Sequence, residues 1–213
     1  MQIILVNDFY SPHLVGGAES VIRSLALGFL KRGHSVSVIT AHIQGTQLEE
    51  MVEGIRVYRI GDFPEIQKSI CLASGTTAMK PIQKMINEYE KLLHYITPDV
   101  IHFHNVWLLG PDLVKVSGFR KGVTFHDYWP FCLRRSLMRV GEKPCLSPGK
   151  IPCRLCQLRA PATIEGLDII NTDQRQKDKL NALTNFNFYT APSQFAAQQI
   201  THFSNLKVQV VHN

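Results

Sequence analysis

Residues 2–40 read QIILVNDFYSPHLVGGAESVIRSLALGFLKRGHSVSVIT, and this stretch decides the fold. Gln2–Val6 is a short apolar run that predicts a strand. Between residues 18 and 31 apolar side chains recur every three or four positions, which is typical of a helix that buries one face. Gly33 ends that helix, and the β-branched run at 35–40 predicts a second strand. A strand, a helix and a strand in this order form a β-α-β unit with parallel strands.

The same alternation of short strands and helices continues along the chain. Further strands are predicted at 54–60, 99–104, 122–125, 186–190 and 206–211. A polar loop at 61–77 leads into a helix predicted at 77–95. Further helices are predicted at 111–117, 172–183 and 193–202. The pattern predicts an α/β fold with a Rossmann-like, doubly wound parallel sheet. We expect one domain over residues 1–213, with a Cys-rich basic insert at about 127–166.

Composition limits the class of protein. The 213 residues are 45% hydrophobic and 19% charged, which is ordinary for a globular chain. No apolar run approaches the length of a bilayer span, and the chain begins with a strand instead of a signal-like segment. We therefore expect a cytoplasmic protein.

Positive charge is concentrated in one part of the sequence. The whole chain has a net charge of +6. Residues 120–159 contain nine basic residues and two acidic ones, Asp127 and Glu142, so most of the positive charge lies there. A local positive field favours an anionic partner, such as substrate phosphates, an anionic membrane surface or nucleic acid. A basic loop that is simply solvated would show the same composition.

Four cysteines lie in the same insert. Cys132, Cys145, Cys153 and Cys156 form the pattern C-x12-C-x7-C-x2-C, whose last pair has the spacing of a tetrahedral metal site. Because disulfides are rare in the cytoplasm, we expect the four cysteines to bind zinc, with an iron–sulfur cluster or four reduced thiols as alternatives. Cys71 stands apart in the sequence and is expected to be a lone thiol.

A glycine pair follows the first strand. Gly16 and Gly17 lie just before the first helix, where backbone amides and the helix dipole can approach a phosphate. The dinucleotide fingerprint G-x-G-x-x-G is absent, so a nicotinamide dehydrogenase is not expected. The alternative is that the two glycines only form a tight turn.

Five groups of residues resemble the N-terminal domain of GT-B fold glycosyltransferases of family 4, whose members are retaining enzymes. They are NDFYSP at 7–12 with GGAE at 16–19, LKRGHSV at 30–36, PDVIHFH at 98–104, TFHD at 124–127 and APS at 191–193. The resemblance implies an acceptor-side half-domain that works with a nucleotide-sugar donor. It also implies a C-terminal donor domain that is missing here, so this chain alone should be inactive or nearly so.

The resemblance also implies roles for individual residues. His126 would contact the transferred sugar or the reacting centre, and Asp127 would orient His126, contact acceptor hydroxyls or polarise the attacking one. Position in the strand, and not the resemblance, gives the expectations for two other histidines: a buried structural role for His102 and, nearer the strand end, a substrate contact for His104. The remaining residues expected to bind donor phosphate or other parts of the substrate are Gly16, Gly17, Glu19, Arg134 and Arg135.

The basic insert suggests where the protein works. Held by a metal, it would present its arginines and lysines beside the active crevice, where arginine's fork matches phosphate oxygens. A growing anionic polysaccharide or a lipid-linked pyrophosphate acceptor at the inner membrane face would fit such a surface.

Two interpretations without catalysis remain at this stage. In the first, a zinc-containing module binds nucleic acid, with Tyr128, Trp129 and Phe131 stacking on bases. In the second, the chain is a regulatory subunit whose catalytic half is supplied by another protein.

Overall fold

A computed structural model describes residues 1–63, 83–132, 134–139, 143–149, 151, 153, 155–156 and 172–213. The strands of these residues form one sheet in the order β3-β4-β2-β1-β5-β6-β7-β8. Their bounds are β1 Gln2–Val6, β2 Ser35–Ile43, β3 Glu49–Val52, β4 Ile55–Phe63, β5 Val100–Phe103, β6 Lys121–Thr124, β7 Phe188–Ala191 and β8 Gln209–Val210. The helices are α1 Gly17–Lys31, α2 Gln83–Ile96, α3 Thr172–Leu183 and α4 Gln194–Ser204, with a 3-10 helix at Pro111–Lys115.

The predicted parallel sheet is confirmed, and β1 is at its centre. It pairs with β2 on one side and β5 on the other, both in parallel. Ile4, Leu5 and Val6 are fully buried, as expected for a strand covered on both faces.

One edge of the sheet differs from the prediction. β3 pairs with β4 in an antiparallel hairpin, and β4 continues to Phe63, beyond the predicted end at 60. Glu53 and Gly54 join these strands with positive φ angles of 52° and 82°, which is the geometry of a type I′ turn. The sequence prediction missed β3 because its first two residues, Glu49 and Glu50, are charged and lie at the sheet edge.

The helices cover the two faces unequally. Residues of α2, α3 and α4 pack into one cluster of the core, whereas α1 buries Ile22 and Ala26 in a second cluster on the other face. The direction of each crossover explains this division. The chain moves one way along the sheet from β1 to β2 and the opposite way from β4 through β5 to β8, so right-handed crossovers place α1 on one face and α2, α3 and α4 on the other.

Helix ends follow local chemistry. Ser193 is the predicted N-cap of α4, and its hydroxyl accepts a hydrogen bond of 3.2 Å from the Ala196 amide. At α1 the cap comes from Glu19, whose carboxylate accepts the Gly16 amide at 2.7 Å.

Some predictions fall outside the described residues. They are the start of the helix predicted at 77–95, most of the 61–77 loop with Cys71, and the end of the insert at 157–166. In the described part of the chain, no helix is long and apolar enough to cross a membrane.

Candidate active site

Two polar residues directly after β1 tie the central loops together. Asp8 is fully buried, and its carboxylate accepts the backbone amides of Trp107 at 2.8 Å and Leu109 at 2.9 Å. The Asn7 amide oxygen accepts the Asn105 backbone amide at 3.0 Å. The loop that follows β5 is therefore held against the end of β1.

Burial dominates the electrostatics of Asp8. It raises the pKa of this carboxyl to about 7, although the backbone hydrogen bonds and the charge of Arg135 act in the opposite direction. Sequence reasoning placed Asp8 in a motif but gave it no role. The available signal was a carboxylate immediately after a fully apolar strand.

Glu19 organises the glycine pair. Its side chain is buried, with one oxygen bonded to the Gly16 amide and the other to the Asn7 side-chain amide at 3.3 Å. Glu19 was predicted to bind substrate. In the structure Glu19 lines the cavity described below, and each of its oxygens accepts a hydrogen bond from this chain, which shapes the loop at Gly16 and Gly17.

Three histidine rings lie next to one another at the ends of β5 and β6. The rings of His102 and His104 are 4.4 Å apart, and those of His104 and His126 are 5.1 Å apart and nearly parallel. His104 Nδ1 is 2.8 Å from His126 Nε2, and His102 Nε2 is 2.8 Å from the Thr124 hydroxyl. His104 is fully buried. Its hydrogen bond goes to His126, so among the described contacts His104, and not Asp127, orients that ring.

Burial keeps these imidazoles neutral. It lowers the pKa of His126 to about 4 and that of His102 to about 4, and the pKa of His104 falls well below its ordinary value. The neighbouring imidazoles lower the pKa of His102 and His104 further. At neutral pH each ring therefore carries one proton, on one of its two nitrogens.

The hydrogen-bond pattern favours one tautomer. His104 Nε2 is buried and has no partner among the described residues, and a buried N–H without an acceptor is rarer than an unpaired acceptor. This assigns the proton of His104 to Nδ1, which then donates to His126 Nε2. His126 consequently carries its own proton on Nδ1, the remaining polar atom of its ring.

Asp127 and Arg135 form the other wall. Asp127 accepts the Trp129 amide at 2.8 Å, and its second oxygen is 4.0 Å from the Arg135 guanidinium. Arg135 also lies 3.9 Å above the centre of the Trp107 ring, a cation–π contact. Burial raises the pKa of Asp127, with the positive charges of Arg135 and Lys179 opposing the shift.

These groups meet in a cavity of about 320 Å³ at the carboxyl ends of the central strands. Its lining includes Gly16, Gly17, Glu19, His126, Asp127 and Arg135. Arg134 is exposed and does not line this cavity, whereas Arg135 does. The two predicted arginines therefore face different surroundings. A second cavity, of about 490 Å³, runs along α1 and contacts His102 and Thr124, but its walls are mainly apolar.

The four cysteines of the insert lie close enough to affect one another. Burial raises the pKa of the Cys153 thiol, and the charges of Cys132, Cys145 and Cys156 raise it further. All four are free thiols, and the Gly149 amide donates to the Cys153 sulfur at 3.3 Å. Among the described residues, no group of three or more His, Cys, Asp or Glu side chains is arranged to hold a metal ion.

The aromatic residues after His126 belong to the core. Trp129 is 0% exposed and Phe131 is 2% exposed, while Tyr128 is partly buried. Base stacking needs accessible ring faces. The hypothesis that Trp129 and Phe131 stack on nucleic acid bases is therefore wrong.

Two curated proteins are similar to parts of this chain. An uncharacterized 42.6 kDa protein in the cps region of Klebsiella pneumoniae is 27% identical over 114 residues, which are 50% of this chain and 30% of that protein. An uncharacterized glycosyltransferase of Methanocaldococcus jannaschii is 37% identical over 60 residues, 28% of this chain and 15% of that protein.

A solved structure shares the fold. Sucrose-phosphate synthase from Thermosynechococcus elongatus superposes with a TM-score of 0.64 and 13% identity, over 99% of this chain and 47% of the synthase. The chain thus spans about half the length of the synthase and less of the two curated relatives. The model of Glycosyltransferase Family 4 matches residues 15–213. From its fold and this match, the chain belongs to Glycosyltransferase Family 4.

Proposed function

We propose that this chain is the acceptor-side half of an enzyme that transfers a sugar from a nucleotide sugar to an acceptor hydroxyl, with retention at the anomeric carbon. The acceptor is a glycan or a lipid-linked saccharide in polysaccharide biosynthesis. The observation that carries the proposal is the meeting of a glycine pair, an arginine, a histidine and a carboxylate in one cavity at the carboxyl ends of parallel strands. Ligands bind at this position in open α/β sheets.

The glycine pair supports a ligand more than a tight turn. Gly16 has a φ of −157°, and neither Gly16 nor Gly17 has the positive φ that requires glycine. A Cβ placed on Gly17 would meet no atom of the protein within 4 Å. Neither the backbone conformation nor the packing of this chain requires glycine at these positions. We therefore infer that glycine is needed because a substrate phosphate approaches the backbone closely.

Arg135 supplies positive charge to the same cavity. Its planar guanidinium is held by Trp107 and Asp127, and a fixed fork of donors suits phosphate oxygens. We assign it to the diphosphate of the donor or of a lipid-linked acceptor. Arg134, which is exposed, would contact the acceptor outside the cavity.

His126 acts as a hydrogen-bond donor in this proposal. In the reaction the bond between the anomeric carbon and the diphosphate oxygen breaks, and a bond to the acceptor oxygen forms. The acceptor proton passes to the departing diphosphate. Because His126 Nε2 accepts from His104, its Nδ1–H is the group that can donate to the sugar, and Asp127 can accept from acceptor hydroxyls.

The rest of the donor site would belong to a C-terminal domain. The superposed region is about half of the solved relative. The catalytic domain of starch synthase IV from Arabidopsis thaliana, which has a TM-score of 0.53 to this chain, was solved bound to ADP and acarbose. That complex supports a nucleotide-sugar donor, with this chain supplying one wall of the cleft.

A change at Gly17 tests the proposal. In the full-length protein, Gly17→Ala should leave the melting temperature unchanged or slightly raised, because alanine favours the first turn of α1. The new methyl group would occupy the space of the substrate, so kcat/KM for sugar transfer should fall at least about tenfold. Gly28→Ala, in the same helix but away from the cavity, is the matched control and should keep full activity. Equal kcat/KM for both variants would contradict the assignment of the cavity.

The same proposal includes a structural zinc ion in the insert. Support comes from the C-x2-C spacing of Cys153 and Cys156, which suits tetrahedral zinc, and from the electrostatic interaction of Cys153 with the other three cysteines. Metal binding requires thiolates, and a zinc ion would offset the burial and mutual repulsion that raise the pKa of Cys153. Cys132, Cys145, Cys153 and Cys156 would hold the ion, which would fix the loop that carries Arg135.

Metal analysis tests the zinc site without any activity measurement. We expect about one zinc per chain by elemental analysis, and little zinc in Cys153→Ser. Cys71→Ser should retain the metal. Iron together with acid-labile sulfide would instead indicate an iron–sulfur cluster. A metal-free protein of unchanged stability would contradict both the zinc site and the cluster.

A peripheral location at the inner membrane face completes the proposal. It is supported by the concentration of basic residues in the insert, next to a cavity that we assign to a lipid-linked or polysaccharide acceptor.

A further inference from the structure

The insert exposes aliphatic side chains that a soluble surface does not need. Leu146 is 77% exposed, Ile151 is 68% exposed and Leu155 is 46% exposed. Ile151 and Leu155 are one helical turn apart, which places them on the same side of their helix. Cys153, midway between them, is buried and belongs to the cysteine cluster. Cys153 is therefore held in the interior of the insert, while Ile151 and Leu155 present aliphatic side chains to solvent.

Exposed cations accompany these aliphatic residues. Arg134, Arg139 and Lys143 are exposed, and none of them has an ion pair with any other residue that the structure describes. Backbone hydrogen bonds connect Arg139 to Lys143 and Leu137 to Cys145. Cys153 interacts electrostatically with Cys132 and Cys145, so the residues around Ile151 and Leu155 lie near this paired segment.

We propose that this surface, which we call the insert tip and define as Leu146, Ile151, Leu155, Arg134, Arg139 and Lys143, docks on an anionic lipid bilayer. Exposed aliphatic side chains and exposed cations in one insert match the bilayer interface, where the cations contact lipid headgroups and the aliphatic groups enter the acyl boundary. Nucleic acid phosphates would match the cations, but they offer no apolar environment to the exposed aliphatic side chains, and Trp129 and Phe131 are too buried to stack on bases. The combination of cations with exposed aliphatic side chains therefore favours the bilayer.

The insert tip lies in the same segment of chain as one wall of the cavity. The Tyr128 amide donates to the Arg135 carbonyl oxygen at 2.9 Å, and the Cys132 amide donates to the Tyr128 carbonyl oxygen at 2.8 Å. The segment that carries the tip thus also carries Arg135 into the cavity. Docking would place the cavity beside the membrane surface, where a lipid-linked acceptor is presented. This purpose rests on the proposed function, whereas docking itself can be measured without any transfer.

Vesicle binding tests the docking. The purified protein is mixed with sedimentable vesicles of phosphatidylcholine, with and without phosphatidylglycerol, at low salt. We expect binding to the anionic vesicles, weaker binding as salt rises, and at least tenfold weaker partitioning for Ile151→Asp/Leu155→Asp. Leu48→Asp is the matched control, because Leu48 is 62% exposed next to Glu49 and Glu50 at the opposite edge of the sheet. It should bind like the unmodified protein.

A fluorescent probe separates docking from misfolding. The two native tryptophans, Trp107 and Trp129, are buried, so Leu146→Trp adds one exposed reporter. Its emission should shift to shorter wavelength with anionic vesicles and remain unshifted with neutral ones. Unchanged partitioning of the double Asp variant, or no emission shift in Leu146→Trp, would overturn the proposal. His126→Ala should bind vesicles normally even though it loses transfer, so a failure of docking and a failure of the proposed reaction give different results.

Discussion

Asp8→Ala is expected to lower the free energy of unfolding by about 2–4 kcal/mol at neutral pH. The substitution removes the acceptor of two buried backbone amides, at Trp107 and Leu109. These N–H groups would have no partner in the folded protein, although water satisfies them in the unfolded one. Chemical denaturation of both proteins measures the difference. A loss below about 0.5 kcal/mol would contradict the role of Asp8 as the clamp of this loop.

The pH dependence of Asp8→Asn gives a second measure of the same carboxyl. The pKa of Asp8 is about 7 in the folded protein, against an ordinary value of 3.8. The folded state therefore binds more protons between these values, and the stabilisation is present at low pH and lost as pH rises through about 7. The asparagine side chain of the variant does not titrate. The unmodified protein should gain stability relative to Asp8→Asn as pH falls from 8 to 5, and a constant difference would contradict the raised pKa.

His126→Ala should reduce kcat for sugar transfer by the full-length protein at least about tenfold, equivalent to about 1.4 kcal/mol. The tautomer assigned above makes a finer prediction. The amide nitrogen of Asn can replace Nδ1–H, whereas the longer Gln places its amide near Nε2. His126→Asn should therefore keep more activity than His126→Gln. The reverse order would contradict the assignment of the donor to Nδ1.

Two measurements support the interpretation of these variants. The pKa of His126 is lowered to about 4, so its titration should not appear in the rate profile between pH 5.5 and 8, and NMR of its ring nitrogens should show a neutral Nδ1–H form. Thr124→Val removes a partner of His102 away from the cavity. Its melting temperature and kcat together show how far a loss of stability in the histidine cluster contributes to the effects at His126.

The sequence was sufficient where local pattern determines structure. The first β-α-β unit, the cap at Ser193 and the order of strands and helices all follow from periodicity and from residues that begin or end helices. The hairpin of β3 and β4 was missed because Glu49 and Glu50 do not alternate with apolar residues as a half-buried strand usually does. Only pairing with β4 shows that they form a strand.

The site could be predicted only in part because its contacts join distant segments. His126 was singled out from the end of its strand, but its hydrogen bond to His104 depends on the register of β5 against β6. The partners of Asp8 are backbone amides about 100 residues away, and backbone amides have no signature in a sequence. The sequence also did not show which side chains are exposed to solvent. The aromatic residues after His126 resembled a binding platform until the fold placed Trp129 and Phe131 in the core.

The most direct measurement of the central claim is acceptor-dependent release of nucleoside diphosphate from a panel of nucleotide sugars. It uses this chain together with the C-terminal domain that we propose, and an extract of lipid-linked and polysaccharide acceptors. We predict release with one nucleotide sugar, dependent on the acceptor and reduced at least about tenfold in His126→Ala, with the anomeric configuration of the donor retained in the product. Release that His126→Ala leaves unchanged, or no transfer with any donor by a folded full-length protein, would contradict the assignment of this cavity to glycosyl transfer.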